Sequence, residues 1–276
     1  MRWPLSRDGD AVRFGPPQTL LDSSASRMHA CAYSADGTVL IVASYSAGEA
    51  LVFSGDYRAE PRRIGPHVGM SRLALSPNNE WLATGTWKGT GVKIWSFESG
   101  ELVKDLPVEG SARVRFSPDG KWLVTGGTAE HCIWRTGTWE IQAKLPRSES
   151  RFGPSPIAIS PNSQLLAVVD STSPLKLTLV DLTTQLPVAS VQCPGNIAAL
   201  MDLRFSSDGT RLLFPHPQKS HNLCVWNLRV IRAQLATMNL DWDLPSYPPA
   251  TSPEPSSPLR VEVDLGELAP AITNAD

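Results

Sequence analysis

A short serine-led motif recurs five times along the chain. Its fullest form, FSPDGKWL, begins at Phe116, and variants begin at Ala32, Ala74, Ala158 and Arg204. The motif serines are spaced 42, 41, 43 and 46 residues apart. An enzyme normally needs one active-site turn, so a turn used five times is interpreted as scaffold. A period in the low forties predicts a repeat architecture, in which each unit is a small sheet that cannot bury both faces alone.

The turn motif is built from residue types that suit a tight reversal of the chain. Proline presets one backbone angle, aspartate can bond back to the backbone, and glycine tolerates a positive φ. The sequence therefore predicts a structural role for the turn residues and no catalytic one. They are Ser34, Asp36, Gly37, Ser76, Pro77, Ser117, Pro118, Asp119, Gly120, Ser160, Pro161, Ser206, Asp208 and Gly209.

Apolar runs around each turn predict four antiparallel strands per repeat. In the copy from Ser111, SARVRF precedes the turn, KWLVTGG follows it, HCIW forms a third strand, and a fourth strand follows Gly137. Identical four-stranded units at this period predict an all-β fold, a β-propeller of about five four-stranded antiparallel blades. An aromatic residue ends the third strand in four copies, namely Phe53, Trp95, Trp134 and Trp226.

The recurring turn and the later strand-ending tryptophan resemble the WD-repeat propeller family over roughly residues 28–235. No copy contains a Trp-Asp dipeptide, and Gly65-Pro66-His67 is the nearest approach to the Gly-His pair that usually opens a repeat. The resemblance implies that the hydrogen-bonded tetrad of the family is incomplete in every blade. The related Pro-Asp propellers of the TolB kind share the SPDG turn but usually lack the later aromatic segment.

The C-terminal part predicts a helix followed by a tail. Apolar spacing predicts a helix over residues 228–238, and six prolines between Pro245 and Pro258 predict a flexible, disordered tail over 241–276. Residues 224–249 resemble the ending of bacterial WD-repeat proteins that often carry a serine/threonine-type kinase domain upstream. The predicted organisation is an orphan outer strand in 1–27, five blades in 28–227, a helical segment in 228–240, and the tail.

The relation between the chain ends leaves two arrangements open. Residues 11–21 have the character of a fourth strand, and could pair with residues 222–226 to close a five-bladed ring. Alternatively, the chain is part of a larger propeller and its ring is incomplete. We expect the incomplete ring, in which unpaired blade edges allow self-association.

Composition and motifs point away from several classes of function. The net charge of −2 gives no general attraction to nucleic acid, and the basic groups Arg62, Arg63 and His67, and Arg113 and Arg115, are offset by acidic residues. No apolar run approaches the length of a membrane segment, and no apolar leader begins the chain, so a cytoplasmic location is expected.

Motifs for catalysis and for cofactor binding were sought without success. No nucleophile elbow, phosphate-binding loop or kinase catalytic loop occurs, so we predict no catalytic, cofactor-binding or metal-binding residue. His216 and His221 flank one loop and are interpreted as solvated. The four cysteines are interpreted as reduced, apolar core residues.

The sequence favours a non-catalytic interaction scaffold that binds protein or peptide partners, in the docking or sensory part of a kinase-linked bacterial signalling system. Trp87, Trp242 and Tyr247 are the candidate partner-contact residues. The alternative is a propeller that binds a small ligand, or acts as an enzyme, at its central channel. A cluster of catalytic polar residues from several blades would distinguish that alternative, and the sequence shows none.

Overall fold

The chain divides into two compact units. One spans residues 26–247, and the other combines the two chain ends, residues 1–25 and 248–276. The computed structural model describes residues 1–9, 11–20, 28–55, 59–89, 91–148, 153–170, 176–192, 202–215, 222–247 and 260–268.

Strands dominate the described chain, with one short α-helix, α1 (Leu228–Thr237). The strands are β1 (Leu5–Asp8), β2 (Ala11–Phe14), β3 (Met28–Tyr33), β4 (Val39–Ser44), β5 (Glu49–Ser54), β6 (Arg62–Ile64), β7 (Met70–Leu75), β8 (Trp81–Thr86), β9 (Val92–Ser96), β10 (Leu102–Leu106), β11 (Arg113–Phe116), β12 (Trp122–Gly126), β13 (Glu130–Arg135), β14 (Ile141–Pro146), β15 (Ile157–Ile159), β16 (Leu165–Asp170), β17 (Lys176–Asp181), β18 (Pro187–Gln192), β19 (Arg204–Phe205), β20 (Arg211–Pro215), β21 (Leu223–Asn227) and β22 (Arg260–Val263).

The larger unit contains five of the six described sheets, and each is an antiparallel meander. Strands β3–β6, β7–β10, β11–β14 and β15–β18 form four-stranded sheets, and β19–β21 form a three-stranded one. The first strands of successive sheets contact one another. Strands β3, β7, β11, β15 and β19 are therefore the innermost strands of five successive propeller blades.

The unit formed by the chain ends contains the sixth sheet. Strands β1 and β2 form an antiparallel hairpin, and β2 pairs in parallel with β22. A salt bridge of 2.9 Å joins Arg13 of β2 to Glu262 of β22. The expectation of about five blades is therefore corrected to six. The pairing of β2 with β22 joins segments at opposite ends of the chain, so the repeat period gave no sign of it.

The pairing of the end strands also bears on ring closure. Strand β2 lies within the residues 11–21 that could have completed the fifth sheet, but its partners are β1 and β22. Strand β21 pairs with β20 and with no other described strand. Residues 260–268, within the segment expected to be a flexible tail, contain β22 and a short 3₁₀ helix, whereas residues 248–259 lie outside the described part.

The apolar core of the larger unit lies between neighbouring sheets. Four buried clusters occur, and each combines side chains from two successive sheets. Burying the facing surfaces of two sheets removes apolar area from water, which is the main favourable term in folding. Cluster members from the two sides are Ile41 and Leu82, Ile94 and Leu123, Ile133 and Leu166, and Leu179 and Leu212.

The same pattern of hydrogen bonds occurs in each of the five turns. In the third blade, the Ser117 hydroxyl donates to Asp119 Oδ1 at 2.6 Å and accepts from the Trp122 amide at 3.0 Å. The Lys121 amide donates to the same carboxylate oxygen at 3.1 Å. The fourth turn residue has a positive φ in every copy, which is why Gly120 suits this place. The equivalents with φ of 58–72° are Gly37, Asn79, Gly120, Ser163 and Gly209.

Helix α1 follows the fifth sheet directly and ends one residue before the predicted boundary. The Asn227 side chain accepts hydrogen bonds from the amides of Arg229 and Val230, which satisfies two of the free donors in the first turn. Leu228 of the helix packs into the core cluster between the fourth and fifth sheets. The helix therefore stands in the sequence where the other blades of this unit have their fourth strand.

Candidate functional site: an arginine-lined channel

The innermost strands of the larger unit surround a cavity of about 410 Å³. Its walls come from the first, second, third, fourth and fifth blades, which places it at the central channel of the propeller. Apolar side chains such as Leu73, Val114 and Ile157 form part of the wall. The charged and titratable side chains of the described lining are His29, Cys31, Arg72, Arg113, Arg115, Asp202 and Arg204.

The channel arginines occupy equivalent positions in different repeats. Arg72 and Arg113 each stand four residues before their turn serine, and Arg115 and Arg204 stand two residues before theirs. Side chains two residues apart on a strand point to the same side. From the sequence alone, Arg113 and Arg115 were recognised only as a basic pair, and neither Arg72 nor Arg204 was a candidate. Aligning the repeats on the turn serine places Arg72 level with Arg113, and Arg115 level with Arg204. This alignment is the sequence signal that could have identified all four arginines.

Asp202 supplies the one carboxylate among the described lining residues of the channel. Arg204 forms an exposed ion pair of 3.2 Å with Asp202. Arg72 donates through Nη1 to the Ser71 carbonyl at 2.9 Å, while its Nε is buried with no hydrogen-bond partner among the described residues. Arg113 donates through Nε to the Pro154 carbonyl at 3.3 Å. The described lining therefore holds four guanidinium groups and one carboxylate.

The surroundings lower the pKa of the two arginines of the third blade. Burial is the main cause for both, and it lowers the pKa of Arg113 and of Arg115 to about 10. Repulsion from Arg72 acts next on Arg113, and repulsion from Arg204 acts next on Arg115, while Asp202 opposes both. Because these pKa values lie far above neutral pH, both guanidinium groups remain charged, and the channel has a positive potential.

The four arginines of this lining suit the binding of an anion better than the transfer of a proton. A guanidinium group donates hydrogen bonds but does not exchange protons near neutral pH, so it cannot act as a general acid or base. His29 stacks on Tyr45 with ring centroids 4.6 Å apart. Cys31 also lines the channel and is exposed, which corrects the expectation that it is a core residue.

The strand-ending aromatics have structural contacts away from the channel. The Trp95 indole donates to Thr84 Oγ1 at 2.9 Å, and His67 Nδ1 lies 2.8 Å from the same oxygen. These three residues resemble part of the WD-repeat tetrad. In the next blade the Trp134 indole donates to Thr125 Oγ1 at 3.0 Å. Buried Phe53 and half-buried Trp226 complete the group of four aromatics.

The three predicted partner-contact residues differ in exposure. Trp242 is buried against the fifth blade and α1, so intramolecular contacts already cover its indole. Tyr247 is half-buried beside Arg232, whose guanidinium carbon lies 5.6 Å from the tyrosine ring. Trp87 is half-buried in the loop between β8 and β9, and its ring lies against the backbone of Gly153. Partner contact by these side chains stays a prediction.

The remaining candidate residues form no further site in the described part of the chain. There, no group of three or more His, Cys, Asp or Glu side chains is placed to hold a metal ion. Burial raises the pKa of the Cys132 thiol to about 12. Cys193, His216 and His221 lie outside the described residues. None of the described helices has the length and apolar character needed to cross a membrane.

Fold and repeat motif together define a class of protein. The structure is an all-β propeller whose blades are mainly four-stranded antiparallel sheets, with one short helix. Residues 108–134 match the WD40 family, described as WD domain, G-beta repeat. The matched repeat and the six propeller sheets support a WD-repeat propeller family. Propellers of this kind generally act as scaffolds for protein interaction.

Comparison with known proteins adds information on the fold. No curated protein matches the chain. Among solved structures, the chain is similar to one titled Kuenenia stuttgartiensis Hydrazine Synthase, with 17% sequence identity and a TM-score of 0.64. The match covers 77% of this chain and 66% of that chain, so this chain spans less than two thirds of it. At this identity, the similarity shows the fold alone.

Proposed function

We propose that the chain is a non-catalytic, cytoplasmic interaction scaffold that binds protein or peptide partners. The edge of strand β21 in the fifth blade, which no described strand covers, is the observation that carries this proposal. Strand β21 has one described strand partner, and its Leu223 and Val225 side chains are 59% and 48% exposed. An unpaired strand edge offers backbone donors and acceptors to a strand of another chain, and exposed apolar side chains add contact area.

Two kinds of partner suit this edge. A second copy of the chain could pair there, which would produce self-association. A strand of a different protein could occupy the same edge. The ending formed by residues 224–249 resembles that of kinase-linked bacterial WD-repeat proteins, and this resemblance supports a docking or sensory role in a kinase-linked bacterial signalling system.

The proposal is tested by placing charges on the open edge. The double variant Leu223→Lys/Val225→Lys should lose bound partners and any self-association, because lysines on an edge strand oppose strand addition. Leu186→Lys is the matched control, since Leu186 is 64% exposed but lies in a turn of the fourth blade. Sedimentation velocity measures self-association, and quantitative mass spectrometry of material captured on the immobilised chain measures partners. Identical results for the double variant and the wild type would refute the proposed role of this edge.

A further inference from the structure

We propose that the central channel binds a small phosphate-bearing anion with at least two negative charges. The inference rests on the arginine-lined cavity and is independent of the partner-binding edge of the fifth blade. Four arginines from three blades line one cavity of about 410 Å³, together with a single described carboxylate, Asp202. Nothing in the general role of a propeller scaffold requires such a concentration of positive charge.

Two of the channel arginines, Arg72 and Arg115, have no acidic ion-pair partner among the described residues. Arg72 Nε is also buried without a hydrogen-bond partner among the described residues. Removing a charged group from water is costly unless the charge is neutralised and its donors are bonded. A bound anion would supply both the charge and the acceptors.

The donor geometry and size of the lining suit a compact phosphate-bearing anion. Guanidinium groups present planar pairs of donors that match the oxygens of a phosphate group. The arginines stand at two positions along the inner strands, so several phosphate oxygens can be contacted from different blades. The cavity volume lies within the range of about 300–1,000 Å³ that is usual for small-molecule sites. A compact polyphosphorylated molecule therefore fits the site better than an extended acidic peptide.

The test uses pyrophosphate as the probe and the full chain as the protein. Isothermal titration at low ionic strength should show binding to the wild type. Arg115→Gln and Arg204→Gln should each weaken the affinity about tenfold or more, because each removes a charge-assisted contact. Raising the salt concentration should weaken the binding of the wild type, since ions screen the partly exposed charges.

A matched control separates the channel from general surface charge. Arg211 is exposed, lies in the same sheet as Arg204, and is not among the channel residues. Arg211→Gln should therefore leave the affinity for pyrophosphate unchanged. Arg204 is 58% exposed, so Arg204→Gln is expected to fold even if Arg115→Gln does not.

Three outcomes would overturn the proposal. The first is the absence of pyrophosphate binding to the wild type at low ionic strength. The second is an equal loss of affinity in Arg204→Gln and Arg211→Gln. The third is binding of a glutamate-rich peptide through Arg115 and Arg204 without any binding of pyrophosphate, which would identify the channel as a peptide site.

Discussion

The turn serine and its acidic or amide partner explain why five different sequences make the same reversal. Where the partner is aspartate, the hydroxyl and amide donors stabilise the ionised form. The Ser34 hydroxyl is the main cause that lowers the pKa of Asp36, and the Ser206 hydroxyl has this role for Asp208. Burial raises the pKa of Asp119, but the Ser117 hydroxyl and the Lys121 amide and ammonium outweigh it and the pKa is lowered.

These lowered pKa values predict a specific dependence of stability on pH. A carboxyl group whose pKa is lower in the folded state stabilises the fold above its unfolded pKa, which is about 3.9 for aspartate. That contribution is lost as the pH falls through the folded pKa. The triple variant Asp36→Asn/Asp119→Asn/Asp208→Asn should therefore lose less stability than the wild type between about pH 5 and pH 2. Thermal unfolding followed by circular dichroism across this range measures the difference.

The chain supplies its own control for this prediction. Asn78 and Asn162 occupy the same turn position and accept the serine hydroxyl at 2.7 Å in each case. An asparagine can therefore maintain the turn without titrating. Asn78→Asp/Asn162→Asp should increase the acid sensitivity of the protein. Equal acid sensitivity in the wild type and the triple variant would show that the turn carboxylates do not contribute.

At the scale of elements, one buried arginine joins α1 to the segment that follows it. The Arg232 guanidinium donates to Asp241 Oδ1 at 2.9 Å through Nε, and to the carbonyls of Leu244 at 2.6 Å and Pro245 at 2.7 Å. Its guanidinium carbon also lies 5.1 Å from the centre of the Trp242 ring. These contacts fix residues 241–245 against the helix, within the segment for which the sequence predicted a flexible tail.

Arg232→Lys should destabilise the larger unit by about 3 kcal/mol. The lysine ammonium keeps the buried charge but cannot reproduce the planar set of donors that reaches one carboxylate and several carbonyls. Urea unfolding at neutral pH measures the change in the free energy of unfolding. Arg229→Lys is the control, because the Arg229 guanidinium makes longer contacts, 3.9 Å to Asp208 and 6.0 Å to the centre of the Tyr247 ring, and should change stability by less than about 1 kcal/mol. Equal effects of the two substitutions would contradict the role given to Arg232.

At the scale of the larger unit, stability is distributed over the interfaces between neighbouring blades. Each of the four apolar clusters belongs to two successive sheets, so a blade is stabilised by its neighbours as well as by its own strands. Leu166 is fully buried in the cluster between the third and fourth blades, where Val124 and Ile133 belong to the third.

Leu166→Ala should cost about 2–5 kcal/mol, because it removes buried methyl groups and leaves a cavity. Since the cavity lies between two sheets, backbone amides of both the third and fourth blades should lose protection in hydrogen exchange. Leu186→Ala, at a side chain that is 64% exposed, should have little effect on either blade. Loss of protection confined to the fourth blade would show that the two sheets are not coupled through this cluster.

The repeated blades, their turns and the helix could be predicted from the amino-acid sequence. These features depend on interactions between residues close in the chain, such as the bonds from Ser117 to Asp119 and Trp122. The alternation of apolar residues in the strands and the positive φ of the fourth turn residue also depend on residues close in the chain. Both features recur from repeat to repeat, so they can be recognised in the sequence. The helix prediction over residues 228–238 differs from α1 by one residue for the same reason.

The sixth sheet and the composition of the channel could not be predicted from the sequence, because both depend on contacts between distant segments. The pairing of β2 with β22 unites segments from opposite ends of the chain, and no local pattern specifies which distant strand becomes the partner. Arg72, Arg113 and Arg204 likewise belong to separate repeats and meet only because the inner strands surround one cavity. Their combined charge depends on the packing of successive blades. The sequence therefore predicted the propeller blades but not the arginine-lined channel.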